Sequence, residues 1–366
     1  MVLRLPLASS EAGEDAGGAL VLTLAELLAD LHSPVSVEGA ETVPVREVCI
    51  DSRRAVPDCL FVALRGEQTD GHLYVHDAFD AGATVALVER PVRGAATIDT
   101  VKGTVPRTLQ LPVAVIVPDS LGALQRLAQA RRLARLDLRV IGITGSVGKT
   151  TTKEAVAAVL SERYATLKSP GNYNSEIGLP LTLMGLEPGH ECAVLEMGMY
   201  DLGEIAMLCQ IARPQVGVVA NVGPTHLGRL GTIERIAQAK AELVEALPSD
   251  GVAVLNGDDP RVRDMGRKTE ARVITFGLRR GNSVWADDIT SCGLEGVRFQ
   301  ARLAEDANLG TEPRNRSLRL ATLGRHSVLA ALAAVAVGLL EGLNWEEVRQ
   351  GLLAQGHGLR LVPKRG

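Results

Sequence analysis

The residues Ile141-Gly-Ile-Thr-Gly-Ser-Val-Gly-Lys-Thr-Thr-Thr-Lys153 join an apolar run to a helix-forming one. In a Gly-rich turn of this kind the backbone N–H groups, together with those at the start of the next helix, make a site for phosphate oxygens. Lys149 is long enough to reach β- and γ-phosphates, and the Thr150 hydroxyl suits Mg²⁺. The pattern is the variant TGxxGKT, starting at Thr144, because Ile143 stands where a strict GxxxxGK[ST] loop has its first glycine. An ordinary strand-turn-helix with a stray lysine is the alternative. The strand before, the helix after and the three consecutive threonines favour the phosphate loop.

Other residues gain meaning from that loop. Glu196 ends the apolar run Ala193-Val-Leu195, and a carboxylate at a strand end beside a phosphate loop is suited to Mg²⁺, directly or through water. His226, in Asn221-Val-Gly-Pro-Thr-His226, is either a ligand for a second cation at the same sheet edge or an ordinary loop histidine. Lys240 sits in a helical stretch where a solvated charge is the ordinary expectation. Asp51-Ser52-Arg53 and Thr69-Asp70-Gly71-His72 bracket a predicted strand. Arg53 can pair with a diphosphate and Ser52 can hydrogen-bond it, or the segment is a turn closed by a surface salt bridge. The loop Lys168–Pro180, with Asn172 and Asn174, suits substrate binding or a structural connection equally.

Two α/β regions position these groups. In the first, short strands at 47–50, 60–64, 85–88 and 113–117 alternate with helices at 22–31, 76–81 and 121–136, and 93–107 reads as a loop. In the second, strands at 139–143, 193–195, 217–220, 252–255 and 273–276 alternate with helices at 151–160, 203–211, 232–246 and 260–267. Buried strands alternating with helices predict a doubly wound, mainly parallel sheet, whose ligands bind beyond the carboxyl ends of the strands. The phosphate loop, Glu196, Asn221, Asn256 and Asp258 all fall there. Residues 284–304 read as antiparallel strands, and 326–340 and 344–354 as helices. The expected division is a flexible leader at 1–20, a first domain at 21–137, a second at 138–358 and a hinge at 359–366.

Composition narrows the function classes. The chain is 46% hydrophobic and only 3% aromatic, so its cores are built from Ala, Val, Leu and Ile. A net charge of −4 leaves no basic excess for nucleic-acid backbones. Five cysteines without a CxxC pair argue for a reducing, cytoplasmic setting rather than a disulfide framework. The apolar run Val328–Leu340 is shorter than the roughly 20 residues a membrane span needs.

The phosphate loop ending Thr152-Lys-Glu154 resembles that of the Mur ligases. Asp51-Ser-Arg53, the segment 66–72, Gly171–Pro180, Leu195–Gly198, Asn221–His226, Ala239–Glu242 and Gly324-Arg-His326 resemble the same family in the same order. The resemblance implies an ATP-dependent amide ligase of peptidoglycan precursor synthesis, adding D-Ala-D-Ala to UDP-MurNAc-tripeptide through an acyl phosphate and working as a monomer. It implies that the backbone of Gly145, Ser146, Val147, Gly148, Lys149, Thr150 and Thr151 holds the nucleotide phosphates, with Asn221, Arg325 and His326 also at the nucleotide. Two Mg²⁺ ions are implied, the first on Thr150 and Glu196, the second on His226 and a carbamylated Lys240. Lys149, Lys240 and His226 would be catalytic. Ser52, Arg53, Asp70, Gly71, His72, Asn172 and Asn174 would meet the UDP-linked substrate. Ser327 and Ala330 depart from the asparagines usual in the last motif. The resemblance covers the first two of the family's three domains, which implies a chain that binds precursor and nucleotide but is incomplete for catalysis alone. The sibling ligase adding the third amino acid, a folylpolyglutamate-type ligase, and a shortened non-catalytic UDP-sugar-binding homologue are the rival readings.

Overall fold

The computed structural model describes residues 22–354, apart from residues 67, 226, 294–295, 311–312 and 322–324 and the side chains of residues 325 and 326. The leader and the hinge expected from sequence lie outside the described residues. The chain divides into two units, Met1–Leu136 with Pro180–Gly189 and Asp137–Leu179 with His190–Gly366.

The first unit opens with β1 (Leu22–Thr23) and α1 (Leu24–Asp30). Thr23 and Glu26 cap α1 reciprocally, each satisfying the other's backbone N–H, so the helix begins where its sequence provides donors with partners. β2 (Pro44–Val45) pairs antiparallel with β1. Then follow β3 (Glu47–Cys49), β4 (Cys59–Val62), α2 (Val75–Asp80), β5 (Val85–Val88), β6 (Ala96–Asp99), β7 (Val113–Ile116) and α3 (Ser120–Leu133). The five strands from β3 to β7 form one parallel sheet in the order β3-β4-β5-β7-β6. Every residue of β4, β5 and β7 is buried, which explains their unbroken apolar runs. β6 lies inside the stretch read as a loop. It is an edge strand with only half its residues buried, so no apolar run announces it.

The second unit contains β8 (Arg139–Thr144), α4 (Lys149–Leu160), β9 (Thr166–Lys168), β10 (Cys192–Glu196), α6 (Glu204–Ala212), β11 (Val216–Val219), α7 (Leu227–Leu230) and α8 (Ile233–Glu245), with α5 (Gly178–Met184) lying between β9 and β10 in sequence. β12 (Val252–Asn256), α9 (Pro260–Asp264), β13 (Arg272–Gly277), β14 (Val284–Ser291), β15 (Val297–Leu303), β16 (Asn315–Leu320), α10 (Arg325–Leu340) and α11 (Trp345–Ala354) complete it. Its sheet runs β16-β15-β14-β13-β12-β11-β8-β10-β9. The strands from β9 to β14 are mutually parallel, and β15 and β16 add an antiparallel edge. The chain leaves β8 toward β10 and later leaves β11 toward β12, so strand order reverses between β8 and β11. Open α/β sheets bind ligands at such a reversal. In register, Glu196 at the end of β10 lies opposite Ile143 of β8. The described residues include no helix long and apolar enough to cross a membrane.

α4 is the helix that must be held rigid, because it starts at the phosphate loop. Its buried face carries Ala155, Val156, Val159 and Leu160, packed in one core with α10 and α11. α10 is buried almost all round, from Val328 to Val337, as a helix apolar on every face requires. Small residues set the spacing between these helices. A Cβ on Gly351 of α11 would lie 2.5 Å from the Val159 Cα, closer than backbone can yield without shifting. Gly351→Ala is expected to destabilise the fold by about 1–3 kcal/mol, the usual cost of overpacking, read as a lower urea midpoint with unchanged m-value.

Candidate functional site

β8 delivers the chain into the phosphate loop, and Gly148, at φ 81°, lets it turn directly into α4. The helix begins at Lys149, two residues earlier than its sequence pattern suggests, so the N–H groups of Lys149 to Thr152 form its first turn. The loop is clamped to the segment after β11. Ser146 N–H donates to the Asn221 carbonyl (3.0 Å), and the Ser146 hydroxyl exchanges hydrogen bonds with the backbone of Gly223 (3.0 and 2.8 Å). The Asn221 side chain holds both backbone groups of Val147, accepting from its N–H at 2.9 Å and donating to its carbonyl at 2.6 Å. Asn221 therefore fixes loop shape, and the Val147 N–H is already committed. The Thr144 hydroxyl, fully buried at the loop's entrance, has no hydrogen-bond partner among the described residues.

Glu196 is 1% exposed, and a buried carboxylate needs donors. The Thr150 hydroxyl donates to Oε2 at 2.9 Å and the Asn174 amide to Oε1 at 2.8 Å. Its own N–H is held by the Ser169 hydroxyl (3.1 Å). Lys153, with no exposed surface, stands 3.7 Å from Oε2 and donates to the Gly171 carbonyl at 2.9 Å. One ammonium thus stands between Glu196 and Glu154, 3.4 Å from the latter, and ties down the loop that carries Asn174. Sequence reasoning missed Lys153. The available signal was its spacing: i+4 from Lys149 puts both lysines on one helix face, and helical side chains lean toward the N-terminus, here the phosphate loop.

Lys149 Nζ donates to the Gly145 carbonyl at 3.0 Å. Burial lowers its pKa from the ordinary lysine value, and Glu196 opposes that shift. Lys240 on α8 is 2% exposed rather than solvated. Burial, reinforced by the like charge of Lys149, brings its pKa down to about 7. At neutral pH much of it is therefore an uncharged amine, able to act as a nucleophile or base. The oxygens of Thr150 and Glu196 are hard donors of the kind Mg²⁺ takes. Among the described residues no group of three His, Cys, Asp or Glu could hold a metal, so an ion here would complete its shell with phosphate oxygens and water. His226 and the side chains of Arg325 and His326 lie outside the described residues.

A second polar cluster follows β3, β4 and β5 at the carboxyl edge of the first sheet. Arg53 forks onto Asp51 (2.8 and 2.7 Å), and this pairing lowers the Asp51 pKa. The arginine itself is largely exposed, while Ser52 is buried. Asp70 accepts from Arg90 (2.7 Å), which holds its carboxyl well below the usual range, and also from the His72 backbone (3.0 Å). His72 Nε2 accepts the Glu89 N–H at 2.8 Å, so Nδ1 carries the proton and donates to Asp70 at 2.6 Å. His72 and Asp70 thus brace the loops. Gly71 is required because a Cβ there would lie 2.7 Å from the Leu64 carbonyl.

Of the expected residues, Gly145 to Thr151, Asn174, Glu196 and Asn221 come together around one loop, with Lys240 buried near Lys149. Asn174 meets Glu196, and Asn172 is exposed. Ser52, Arg53, Asp70, Gly71 and His72 gather in the other unit.

Two outcomes follow. Lys153→Met removes the ammonium that stands 3.7 Å from buried Glu196, a loss of about 3 kcal/mol, seen as a lower urea midpoint. Lys240 gives a pH signature. Its burial penalty is full below about pH 7, shrinks as pH rises above that value and vanishes above the ordinary lysine value of 10.5. In this window the unfolded chain binds the extra proton, so stability rises with pH by up to about 1.4 kcal/mol per unit. In bicarbonate-free buffer, Lys240→Met is expected to remove that rise, and equal slopes for both proteins would count against it.

Comparison with known proteins agrees with this geometry. Residues 143–338 match the Mur ligase middle domain, and residues 44–132 match the Mur ligase family, catalytic domain. The UDP-N-acetylmuramoyl-tripeptide–D-alanyl-D-alanine ligase of Synechocystis is 37% identical over 317 residues, covering 86% of this chain. The chain spans 63% of that relative's length. Among solved structures, the UDP-N-acetylmuramoylalanyl-D-glutamyl-2,6-diaminopimelate–D-alanyl-D-alanyl ligase of Acinetobacter baumannii superimposes with a TM-score of 0.77 at 28% identity, over 94% of this chain and 72% of that one. MurF of Thermotoga maritima in complex with ADP superimposes with a TM-score of 0.69 at 28% identity, over 83% and 66%. With more than half its length in the middle-domain match, and with the phosphate loop and Glu196 inside it, the chain belongs to the Mur ligase family.

Proposed function

We propose that the protein is an ATP-dependent amide ligase that joins D-Ala-D-Ala to UDP-MurNAc-tripeptide, the reaction in the name of its Synechocystis relative. The observation that carries this reading is the buried Glu196 hydrogen-bonded to Thr150 at the first turn of α4, with Lys149 beside it. That arrangement suits a phosphoryl donor, and the ADP in the T. maritima relative supports ATP in that role.

A carboxylate resists an amine because neither of its oxygens can leave. In the proposed reaction the tripeptide carboxylate oxygen attacks the γ-phosphorus of ATP, and the β–γ bridging bond breaks to release ADP. The dipeptide amine then attacks the acyl carbon, inorganic phosphate leaves with the bonding electron pair, and the amine gives up a proton. Two anions must meet in the first step, so cationic screening and alignment supply most of the acceleration. Lys149 and the backbone of Gly145 and of residues 148–151 hold the phosphates, while the N–H groups of Ser146 and Val147, spent on Asn221, keep that backbone in shape. Thr150 and Glu196 would hold a Mg²⁺ ion, which would screen phosphate charge. His226 and Lys240 would serve a second ion, and Arg325 and His326 the nucleotide. Asn174 keeps Glu196 oriented, and its loop, including Asn172, borders the substrate. The neutral Lys240 amine can add carbon dioxide, forming an N–C bond and releasing a proton, which turns an uncharged amine into an anionic, carboxylate-like ligand. Ser52 and Arg53, on loops braced by Asp70, Gly71 and His72, would receive the UDP-sugar. A cytoplasmic setting fits five cysteines without a CxxC pair.

The decisive experiment is phosphate release by the full gene product with Mg²⁺ and ATP. Release is expected only when UDP-MurNAc-tripeptide and D-Ala-D-Ala are both present, and release indifferent to the dipeptide would overturn the ligase reading. Lys149→Ala is expected to lose Mg·ATP binding while retaining the UDP precursor, and equal loss of both on titration would contradict separate sites. Carbon-13 NMR of the intact protein in labelled bicarbonate should show a carbamate signal that Lys240→Met lacks, whereas the same spectrum from both proteins would remove the carbamate.

A further inference from the structure

Cys49 ends β3 and Cys59 begins β4, and their sulfurs stand 3.1 Å apart. Both are free thiols. The strand register brings them together. Cys59 lies opposite Glu47 and Cys49 opposite Phe61, so the cysteines are diagonal neighbours across one strand pair. Successive strand residues point to opposite faces, so both side chains share the face that carries Phe61. The Arg46 N–H donates to the Asp58 carbonyl at 2.9 Å, and its guanidinium pairs with the Asp58 carboxylate at 3.0 Å. The start of β4 is therefore fixed against β3, and the backbone keeps the sulfurs in contact.

The two sulfurs differ in access. Cys59 is completely buried, whereas Cys49 is half-buried and belongs to β3, an edge strand of its sheet. The hydrogen bond between them lowers the Cys59 thiol below its ordinary value and raises that of Cys49. The pair thus gives up one proton readily and holds the second. That second proton has only the 3.1 Å contact to cross, so the negative charge can reach Cys49, the sulfur a small solute meets. Thiolate character, access and a resolving thiol in contact are what reversible oxidation needs. The segment between the cysteines carries the turn Ser52–Arg54, capped by Asp51, and Ser52 and Arg53 are the residues proposed for the UDP-sugar. Bonding would draw the sulfurs from 3.1 Å to about 2 Å. The pull enters the chain two residues before Asp51, and hydrogen bonds to a diphosphate depend on geometry.

We infer that Cys49 and Cys59 form a reversible disulfide when a hydroperoxide reaches Cys49, and that this bond weakens the hold of Ser52 and Arg53 on the UDP precursor. The second half rests on the ligase reading of that turn. The Cys49 thiolate attacks a peroxide oxygen, the O–O bond breaks, and the other oxygen takes a proton and leaves as water. The Cys59 sulfur then attacks the Cys49 sulfenic acid, the S–S bond forms as the S–O bond breaks, and a second water leaves. The two thiols lose two electrons and hydrogen peroxide gains them. A dithiol reductant restores both thiols by exchange. In a reducing compartment such a bond is transient rather than structural.

The test treats the full gene product with hydrogen peroxide, removes the oxidant and titrates UDP-MurNAc-tripeptide. Digestion without reduction is expected to yield a peptide pair joined through Cys49 and Cys59, lighter by two hydrogens than its separate parts. Kd for the precursor is expected to rise about tenfold, the value of one lost charge-assisted contact, and to return with dithiothreitol. Cys59→Ala should show neither the link nor the rise, and Cys49→Ala serves as the second variant should Cys59→Ala fail to fold. Absence of the link after peroxide overturns the inference. So does a link that leaves Kd unmoved, or a rise that the variant shares. A reduced protein that does not bind the precursor defeats the ligase reading of the turn and the switch with it, while the link itself is still read by mass.

Discussion

An ionised carboxylate out of reach of water must be answered by donors and a counter-charge, and Glu196 imposes that requirement on the second unit. Its two oxygens recruit Thr150 from the start of α4 and Asn174 from the loop after β9, and its backbone recruits Ser169. Lys153 supplies the counter-charge from the second turn of α4. Three chain segments that are distant in sequence are thus fixed to one another by a single buried charge. A buried ion pair of this kind contributes little net stability over a well-packed apolar alternative. It does define one arrangement of the loops, and that arrangement is what phosphoryl transfer needs.

The scaffold beneath is almost entirely aliphatic. β10, β11 and β12, buried at every residue, stack in a layer with helices built from Ala, Val and Leu, and glycine sets the approach of α11 to α4. The same division recurs in the first unit, where β4, β5 and β7 are wholly buried and the polar residues lie in the loops beyond their carboxyl ends. In both sheets rigidity comes from the apolar layer and chemistry from the loops, with Asn221 and the Asp70–His72 pair fixing loop shape.

Much of this was legible in the sequence because buried parallel strands leave apolar runs and helices leave a distinct period. The phosphate loop, Glu196, β8 and the strands from β10 to β13 were found that way. What escaped was short, at an edge, or held by partners distant in sequence. β6, β9 and β16 are edge strands, and in β16 only Leu318 and Leu320 are apolar and buried, so no apolar run marks it. α5 was hidden by Pro180, which the first turn of a helix tolerates because its N–H has no intrahelical partner. Lys240 read as solvated because its period puts it on a polar-looking face, while the fold buries it. Arg53 was read either as open to a diphosphate or as part of a turn closed by a surface salt bridge, and its fork on Asp51 two residues away forms that salt bridge while leaving the arginine largely exposed.

The register of β10 against β8 carries a consequence for how the gene can vary. Successive strand residues point to opposite faces, so inserting or deleting one residue within Cys192–Glu196 would turn Glu196 away from Thr150 while leaving a strand of nearly the same hydrophobicity. Such a chain could still collapse around its aliphatic core and escape quality control while lacking the carboxylate that organises the loops. Length changes in the turn at Glu187–Gly189, before β10 begins, would not shift that register. Insertions and deletions in descendants of this gene should therefore accumulate before β10 and be purged within it, even though both places lie in the same short stretch of sequence.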